Sequence, residues 1–246
     1  MDKNKRLIII MSVVLLATVF SVTRFFASSK KTQDEKSPKM SEDAREEEKD
    51  SLVIVLDAGH GGRDPGKVGV DGQLEKDINL EIVMKLKEAL EKDTELGVKV
   101  VLTRSDDMGH YDKDTANKKS ADMKKRCEII EDASPDFVVS IHQNSYHSSS
   151  VKGAQVFYYK KSDKGKLLAN KIQTQLVASL SEGNKGRVEK ANDNYYLIMN
   201  VKCPAVIVEC GFLSNEEEAK LLEDDEYQKK ITKAIVDGIR DYLQEY

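Results

Sequence analysis

Short apolar runs alternate along residues 52–246 with longer stretches in which an apolar residue recurs at about every fourth position. The short runs are typical of buried strands, and the four-residue spacing is typical of helices that turn one face toward a core. Their alternation favours an α/β fold, in which a mainly parallel sheet carries helices on both faces. The predicted strands are 52–56, 98–103, 137–141, 153–159, 205–209 and a short one near 196–199. The predicted helices are 78–90, 121–131, 165–180 and 227–243.

The amino-terminal pattern differs from the rest of the chain. Residues 7–23 form an uncharged, mostly apolar stretch, and Lys3, Lys5 and Arg6 precede it. A stretch of about 17 residues is at the short limit for a membrane-spanning helix and is long for the apolar part of a signal peptide. We therefore predict that residues 1–27 are a membrane anchor or signal segment, and we favour a retained anchor. The preceding basic residues favour a cytoplasmic amino end and an exported body.

Residues 28–51 are polar and contain no aromatic side chain, so they cannot bury enough surface to offset the entropy of ordering. We predict a disordered linker there and one globular domain over 52–246. In the whole chain 39% of residues are hydrophobic, 33% are charged, and the net charge is -4. This composition is that of an ordinary globular protein and gives no reason to expect a nucleic-acid partner.

The three cysteines, Cys127, Cys203 and Cys210, do not form the pattern of a disulfide framework. Cys203 and Cys210 lie near opposite ends of one apolar run, and an extended chain would separate them by roughly 20 Å, which is beyond disulfide reach. We therefore expect free thiols. No base adjacent in the sequence would activate any of them as a nucleophile.

Two of the four histidines stand at the ends of predicted strands. His60 follows the first apolar run within the sequence Asp-Ala-Gly-His-Gly-Gly, and His142 follows the third run. Loops that leave the carboxyl ends of neighbouring parallel strands meet at one crevice, so both rings are well placed to bind a metal ion. The glycine-rich segment matches neither the dinucleotide-binding motif nor the P-loop, which argues against a phosphate site.

Catalytic zinc usually takes three protein ligands and leaves one position open. Glu75 is the best third candidate, because it begins the first predicted helix, where the helix dipole favours a carboxylate. The plain alternative for Glu75 is a charge at a helix start. His147 is a rival ligand, although we expect it to lie in an exposed loop. We expect His110 to be a solvent residue rather than a ligand.

A carboxylate closes the last predicted strand. Glu209 ends an apolar run, and burying a carboxylate there is costly unless it has a partner. A metal-activated water molecule would be a suitable partner, because a positioned glutamate can remove a proton from that water and pass a proton to a leaving amine. In an extended chain the neighbouring Cys210 points to the opposite face.

Residues 105–119, rich in aspartate, predict a surface loop, which is either a solvated insertion or a lid over the substrate.

Three sequence blocks carry a resemblance to a known family. They are LDAGHGGRDPGKVGVDGQLEK at 56–76, SIHQNS at 140–145 and PAVIVECGFLSN at 204–215. In this order they resemble the zinc-dependent N-acetylmuramoyl-L-alanine amidases of amidase family 3, and they span nearly all of the predicted globular part. The resemblance implies a twisted six-stranded sheet. It also implies that residues 52–246 form a single zinc amidase catalytic domain.

The resemblance also implies a set of site residues. One Zn²⁺ per chain would be held by His60, Glu75 and His142, and Glu209 would be the catalytic carboxylate. Asn144, in the middle block, is a candidate substrate-binding residue. The implied reaction is hydrolysis of the amide between the lactyl group of N-acetylmuramic acid and L-alanine in peptidoglycan, which removes the stem peptide.

A short amidase with one membrane segment and no wall-binding repeats further resembles the germination-specific amidases of spore-forming bacteria. Those enzymes remove stem peptides so that muramic-δ-lactam can form in the spore cortex, although a vegetative amidase could share the same organisation. The expected location is the extracytoplasmic face of the membrane or the cortex space. An accessory or activating protein is a possible partner that no motif in the sequence specifies.

Two other functions fit parts of the pattern. A non-catalytic peptidoglycan-binding module could keep the fold without turnover. A zinc carboxypeptidase-like peptidoglycan hydrolase could use a similar two-histidine, one-glutamate site, but it would need a cation for the substrate carboxylate. Arg126 and Arg187 are the candidates for that cation.

Overall fold

Six strands form one sheet in the order β2-β1-β3-β6-β4-β5. All neighbouring pairs are parallel except β4 and β6, which are antiparallel. The prediction of a mainly parallel, six-stranded sheet is therefore confirmed. The strands are β1 (Val53–Ala58), β2 (Lys99–Leu102), β3 (Phe137–Asn144), β4 (Gln155–Tyr159), β5 (Lys190–Asn192) and β6 (Ala205–Phe212).

This architecture comes from a computed structural model that describes residues 51–180 and 184–245. The predicted anchor over 1–27 lies outside the described residues, as does the predicted linker except for its last residue. Within 51–180 and 184–245, no helix is long and apolar enough to cross a membrane.

Helices cover both faces of the sheet, as the alternating pattern predicts. They are α1 (Glu75–Lys92), α2 (Lys118–Ala133), α3 (Asp163–Ser179), α4 (Tyr196–Asn200), α5 (Glu216–Glu223) and α6 (Asp225–Leu243). The larger core joins one face of the sheet to α1, α3, α5 and α6, and the smaller core joins the other face to α2 and α4. The helix α5 was not predicted from the sequence.

The prediction of a short strand near 196–199 is wrong. These residues begin α4, and the two apolar residues Leu197 and Ile198 pack into the smaller core. The actual sixth strand, β5, has three residues, and only Asn192 among them is even partly buried. Such a short edge strand buries no apolar face, so the hydrophobic pattern carries no signal for it.

Two strands extend beyond the ends of their apolar runs. The strand β3 continues through His142 to Asn144, and β6 continues through Glu209 to Phe212. The two strands pair side by side, with His142 opposite Glu209 in the register. The sequence suggested that these polar residues would follow the strands in loops. They instead belong to the sheet itself, which fixes the orientation of their side chains more firmly than a loop would.

Candidate metal centre and catalytic cavity

Three side chains from three different elements meet at the carboxyl end of the sheet. His60 lies on the turn after β1, Glu75 is the first residue of α1, and His142 is in β3. The Oε1 atom of Glu75 lies 3.2 Å from Nε2 of His60 and 3.0 Å from Nδ1 of His142. All three candidate donor atoms lie within 4.8 Å of one another. His147, the rival third ligand in the sequence, is exposed and packs on the ring of Tyr146.

This donor set fits a zinc ion. Tetrahedral zinc bonds of 2.0–2.1 Å place neighbouring ligand atoms about 3.3 Å apart, close to the two separations involving Glu75. Two imidazoles and one carboxylate are also a ligand set found in catalytic zinc sites, where a fourth position stays open.

The glycine-rich turn after β1 allows the two histidines to approach each other. His60 has a φ of 62°, in the left-handed region that few non-glycine residues adopt. A Cβ atom on Gly59 would lie 2.2 Å from Cε1 of His142, so only glycine fits there. The glycines therefore serve the close packing of the site.

Neighbouring groups orient the candidate ligand side chains. The Nδ1 atom of His60 lies 2.9 Å from Oδ2 of Asp64, an arrangement that leaves Nε2 directed at Glu75. The backbone N–H of Lys67 donates to Oε2 of Glu75 at 2.7 Å, and that of Gln143 donates to Oε1 at 3.1 Å. Carboxylates and backbone groups that hold metal ligands in this way are typical of metal sites.

The protonation of this cluster follows from its contacts. Burial raises the pKa of Glu75, but the hydrogen bonds and charges of His142 and His60 outweigh burial and hold it well below its usual range. Burial lowers the pKa of His60, but the contacts with Glu75 and Asp64 outweigh it and raise the value. The carboxylate is thus kept ionised beside the two rings.

Glu209 lies in the same cavity on the neighbouring strand β6. Burial raises its pKa to about 7, because the ionised form loses its hydration. The Tyr195 hydroxyl donates to Oε1 at 3.3 Å, whereas Oε2 is buried and has no hydrogen-bond partner in the described part of the chain. A carboxyl group with a pKa near neutrality can both accept and return a proton.

We call the candidate ligands His60, Glu75 and His142 the metal cluster. A buried ion-pair network lies beneath this cluster, and it was not predicted from the sequence. Asp57 accepts hydrogen bonds from Arg126 at 2.6 Å, from Thr103 at 2.6 Å and from Ser140 at 2.5 Å. Arg126 also donates to the backbone carbonyl of His60. A signal was present in the sequence, because Asp57 is a carboxylate within an apolar strand, and such a group requires a partner.

Neither of the two arginines considered as the carboxylate-binding cation of a carboxypeptidase is available for that role. Arg126 is buried and pairs with Asp57 and Asp122, so its charge is already neutralised. Arg187 donates to the backbone carbonyl of Lys152 and lies over the ring of Phe212, and it does not line the cavity.

The cavity around these groups has a volume of about 820 Å³. Asn144, the candidate substrate-binding residue, lines it, and so do residues of the loop predicted over 105–119. The loop is attached to the turn after β1, because the backbone N–H of Gly62 donates to Asp107 and that of Arg63 donates to the Tyr111 hydroxyl. The loop thus packs against the site rather than extending freely into solvent.

The remaining predictions concern residues outside the metal cluster. His110, expected to be a solvent residue, is half-buried, and its Nε2 atom is buried without a hydrogen bond among the described residues. All three cysteines are free, as expected. Cys210 is buried in the larger core, on the face of the sheet opposite Glu209.

An α/β fold that brings two histidines, a carboxylate and a separate buried glutamate into one cavity is typical of a metal-dependent hydrolase. The particular family follows from comparison with known proteins. The family model described as N-acetylmuramoyl-L-alanine amidase matches residues 54–241, and the chain belongs to this family. The resemblance drawn from the three sequence blocks is confirmed, and the protein is an N-acetylmuramoyl-L-alanine amidase that acts on peptidoglycan.

Individual relatives support the same assignment. The chain is 37% identical over 196 residues to the germination-specific N-acetylmuramoyl-L-alanine amidase of Bacillus subtilis, covering 78% of this chain and 80% of that protein. The structure of the Clostridioides difficile CwlD amidase, solved with the GerS lipoprotein, matches with a TM-score of 0.75 and 42% identity, covering 80% of this chain and 100% of that one. The CwlV catalytic domain of Bacillus (Paenibacillus) polymyxa matches with a TM-score of 0.66 and 32% identity, covering 78% and 98%.

Proposed function

We propose that this amidase holds one zinc ion with His60, Glu75 and His142 and uses Glu209 as its catalytic residue. The observation that carries the proposal is the placement of three donor atoms within 4.8 Å of one another, in the cavity that also contains the buried Glu209 carboxyl. When bound, zinc would supply Lewis acidity, lowering the pKa of a water molecule and polarising the amide carbonyl.

The protein groups would divide the proton transfers between them. Oε2 of Glu209, which has no hydrogen-bond partner among the described residues, accepts a proton from the attacking water. The water oxygen bonds to the lactyl carbonyl carbon, the bond from that carbon to the alanine nitrogen breaks, and Glu209 passes the proton to the leaving nitrogen. Tyr195 keeps the glutamate oriented through Oε1.

The test is a pair of measurements on purified protein. The Glu209→Ala variant is expected to retain zinc, as measured by metal analysis, and to lose release of stem peptides from peptidoglycan. The double variant His60→Ala/His142→Ala is expected to lose the metal as well. Full activity of the Glu209→Ala variant, measured as new muramoyl and L-alanyl ends, would refute the mechanism.

We further propose that the enzyme removes stem peptides in spore cortex, so that muramic-δ-lactam can form. The support is the similarity to a relative named as germination-specific. Deletion of the gene is expected to abolish muramic-δ-lactam in cortex muropeptides while vegetative muropeptides stay unchanged. Loss of cell separation with normal cortex would instead indicate a vegetative role.

We propose that residues 1–27 anchor the enzyme, that residues 28–51 are a disordered tether, and that the catalytic domain acts outside the cytoplasm. The charge pattern before the apolar stretch supports this orientation. An accessory lipoprotein is a reasonable partner, because a similar amidase was solved in complex with one. Membrane fractionation, with the mass of the mature amino terminus, tests the anchor, and co-purification from sporulating cells tests the partner.

A further inference from the structure

Besides the buried, ion-paired Arg126, four cationic side chains line one side of the catalytic cavity. Arg63 and Lys67 lie on the segment between β1 and α1, and Lys118 and Lys119 are the first two residues of α2. We call this set the cationic wall. The wall and the candidate ligands His60, Glu75 and His142 line the same cavity.

The cationic wall has no carboxylate partner within the described ranges. None of its four members forms an ion pair there, although Lys76 nearby pairs with Asp107 at 2.5 Å. The surrounding carboxylates are engaged elsewhere: Asp64 contacts His60, and Asp122 pairs with Arg126. Since the whole chain has a net charge of -4, this concentration of positive charge is a local feature rather than a consequence of composition.

The residues that line the cavity on the side of β6 are uncharged apart from Glu209. They are Ile207 of β6, Tyr196 and Leu197 at the start of α4, and Asn194 and Tyr195 just before it. The strand order places β1 and β6 on either side of β3, so the cavity has a cationic side and a largely neutral side with His142 between them. A substrate with one neutral end and one anionic end would be oriented by this difference.

We propose that the cationic wall binds the free carboxylates of the stem peptide and makes the enzyme selective for peptides in which these carboxylates are not amidated. The inference rests on the proposed function, since it takes the scissile amide to lie at the metal cluster. The glycan half of the substrate is uncharged there, because its lactyl carboxyl forms the amide. The peptide half carries the anionic groups that the wall would attract.

The exposure of the cationic side chains sets how much each one is expected to contribute to binding the peptide. Arg63, Lys67 and Lys119 are exposed, and a charge contact at such positions changes affinity by about two- to fivefold. Removing all three charges is therefore expected to lower binding of an anionic peptide by about tenfold or more. Lys118 is left in place, because it donates to the backbone carbonyls of Lys113 and Thr115 and supports the loop.

The test compares two substrates, a muramoyl peptide with free peptide carboxylates and the same compound with those carboxylates converted to amides. The wild-type, zinc-loaded enzyme is expected to prefer the free acid in kcat/KM by about tenfold or more at low salt. This preference should fall as salt shortens the screening length from about 14 Å at 50 mM to about 4 Å at 500 mM. In the Arg63→Gln/Lys67→Gln/Lys119→Gln variant the ratio should approach one.

A matched control removes the same charge from three exposed lysines that do not line the cavity. The Lys99→Gln/Lys166→Gln/Lys230→Gln variant is expected to keep the wild-type ratio. Equal preference for the two substrates in the wild type, or an unchanged ratio in the cationic-wall variant, would overturn the proposal.

Binding of the released peptide alone separates this proposal from the proposed function. If the wild-type protein cleaves neither substrate, the zinc mechanism fails. Calorimetric titration with the free-acid peptide then tests, independently of catalysis, whether the cationic wall binds peptide carboxylates. Weaker binding to the triple variant than to the control supports the wall, and equal binding to both overturns it.

Discussion

Breaking the buried ion pair beneath the metal cluster is expected to cost much of the protein's stability, and the Arg126→Met substitution tests this expectation. Arg126 and Asp57 are both almost fully buried and lie 2.6 Å apart. Methionine fills much of the volume but removes the charge, so the Asp57 carboxylate would be left with only two hydroxyl donors. Breaking a buried pair in this way typically costs about 3–5 kcal/mol.

The stability lost in the Arg126→Met variant is expected to depend on pH in a defined direction. Burial raises the pKa of Asp57, but Arg126 and the hydroxyl groups outweigh it and hold the value low. The stabilisation is therefore complete above the unfolded-state pKa, about 3.9, and is lost as the pH falls through the lower folded-state pKa. Without Arg126, burial should dominate and raise this pKa. The variant would then gain stability relative to wild type as the pH falls toward that raised value.

The assay is urea unfolding followed by far-UV circular dichroism, with a chelator present so that metal binding does not contribute. Arg240→Met is the matched control, because Arg240 also pairs with two carboxylates but is 39% exposed at its side chain. Its substitution is expected to cost about 1 kcal/mol or less. Adding Asp57→Asn to Arg126→Met should recover part of the loss.

Three results would refute this reasoning. The first is a loss for Arg126→Met no larger than that of the control variant. The second is a deficit that stays constant between about pH 7.5 and pH 5, since the argument requires the deficit to shrink on acidification. The third is strict additivity of the two single substitutions, which would show that the two side chains are not energetically coupled.

Three further substitutions test the geometry of the site. Gly59→Ala would place a Cβ atom 2.2 Å from the His142 ring, and zinc affinity is expected to fall at least about tenfold; an unchanged zinc titration would contradict the packing argument. Asp64→Asn removes the carboxylate that orients the histidine after β1, so zinc affinity should fall about tenfold or more while the unfolding midpoint of the metal-free protein changes little. Tyr195→Phe removes a hydrogen bond that lowers the pKa of Glu209, so the acidic limb of the pH–rate profile should move to higher pH; a shift to lower pH would be inconsistent with that role.

The cluster of candidate ligands could be anticipated because each member has a local signal. His60 and His142 follow apolar runs, and Glu75 begins a helix that a glycine-containing turn introduces. Parallel-sheet topology then brings the ends of such elements together, so the contact between them is a consequence of the fold class. The choice of Glu75 over a plain helix-start charge still depended on the family resemblance, because spacing alone does not distinguish the two.

The buried network could not be anticipated in the same way. Arg126 lies on α2 and Asp57 on β1, 69 residues apart, and nothing in the local pattern of α2 shows that this arginine turns inward. Its neighbours in the helix are mostly charged, so the sequence suggests a solvated surface. Only tertiary packing against the end of β1 makes it a buried cation.

The division of the sheet into two faces explains why the site can be both rigid and open. Side chains alternate along a strand, so Asp57, Ser140, His142 and Glu209 share a face with Val55, Val138 and Ile207 of the smaller core. The intervening positions, including Cys210, pack with four helices into the larger core. Most apolar burial is therefore concentrated on the face that carries no chemistry. The face that does carry it is covered by α2 and by the short α4, and this partial cover leaves room at the carboxyl end of the sheet for a cavity that a polymer can reach.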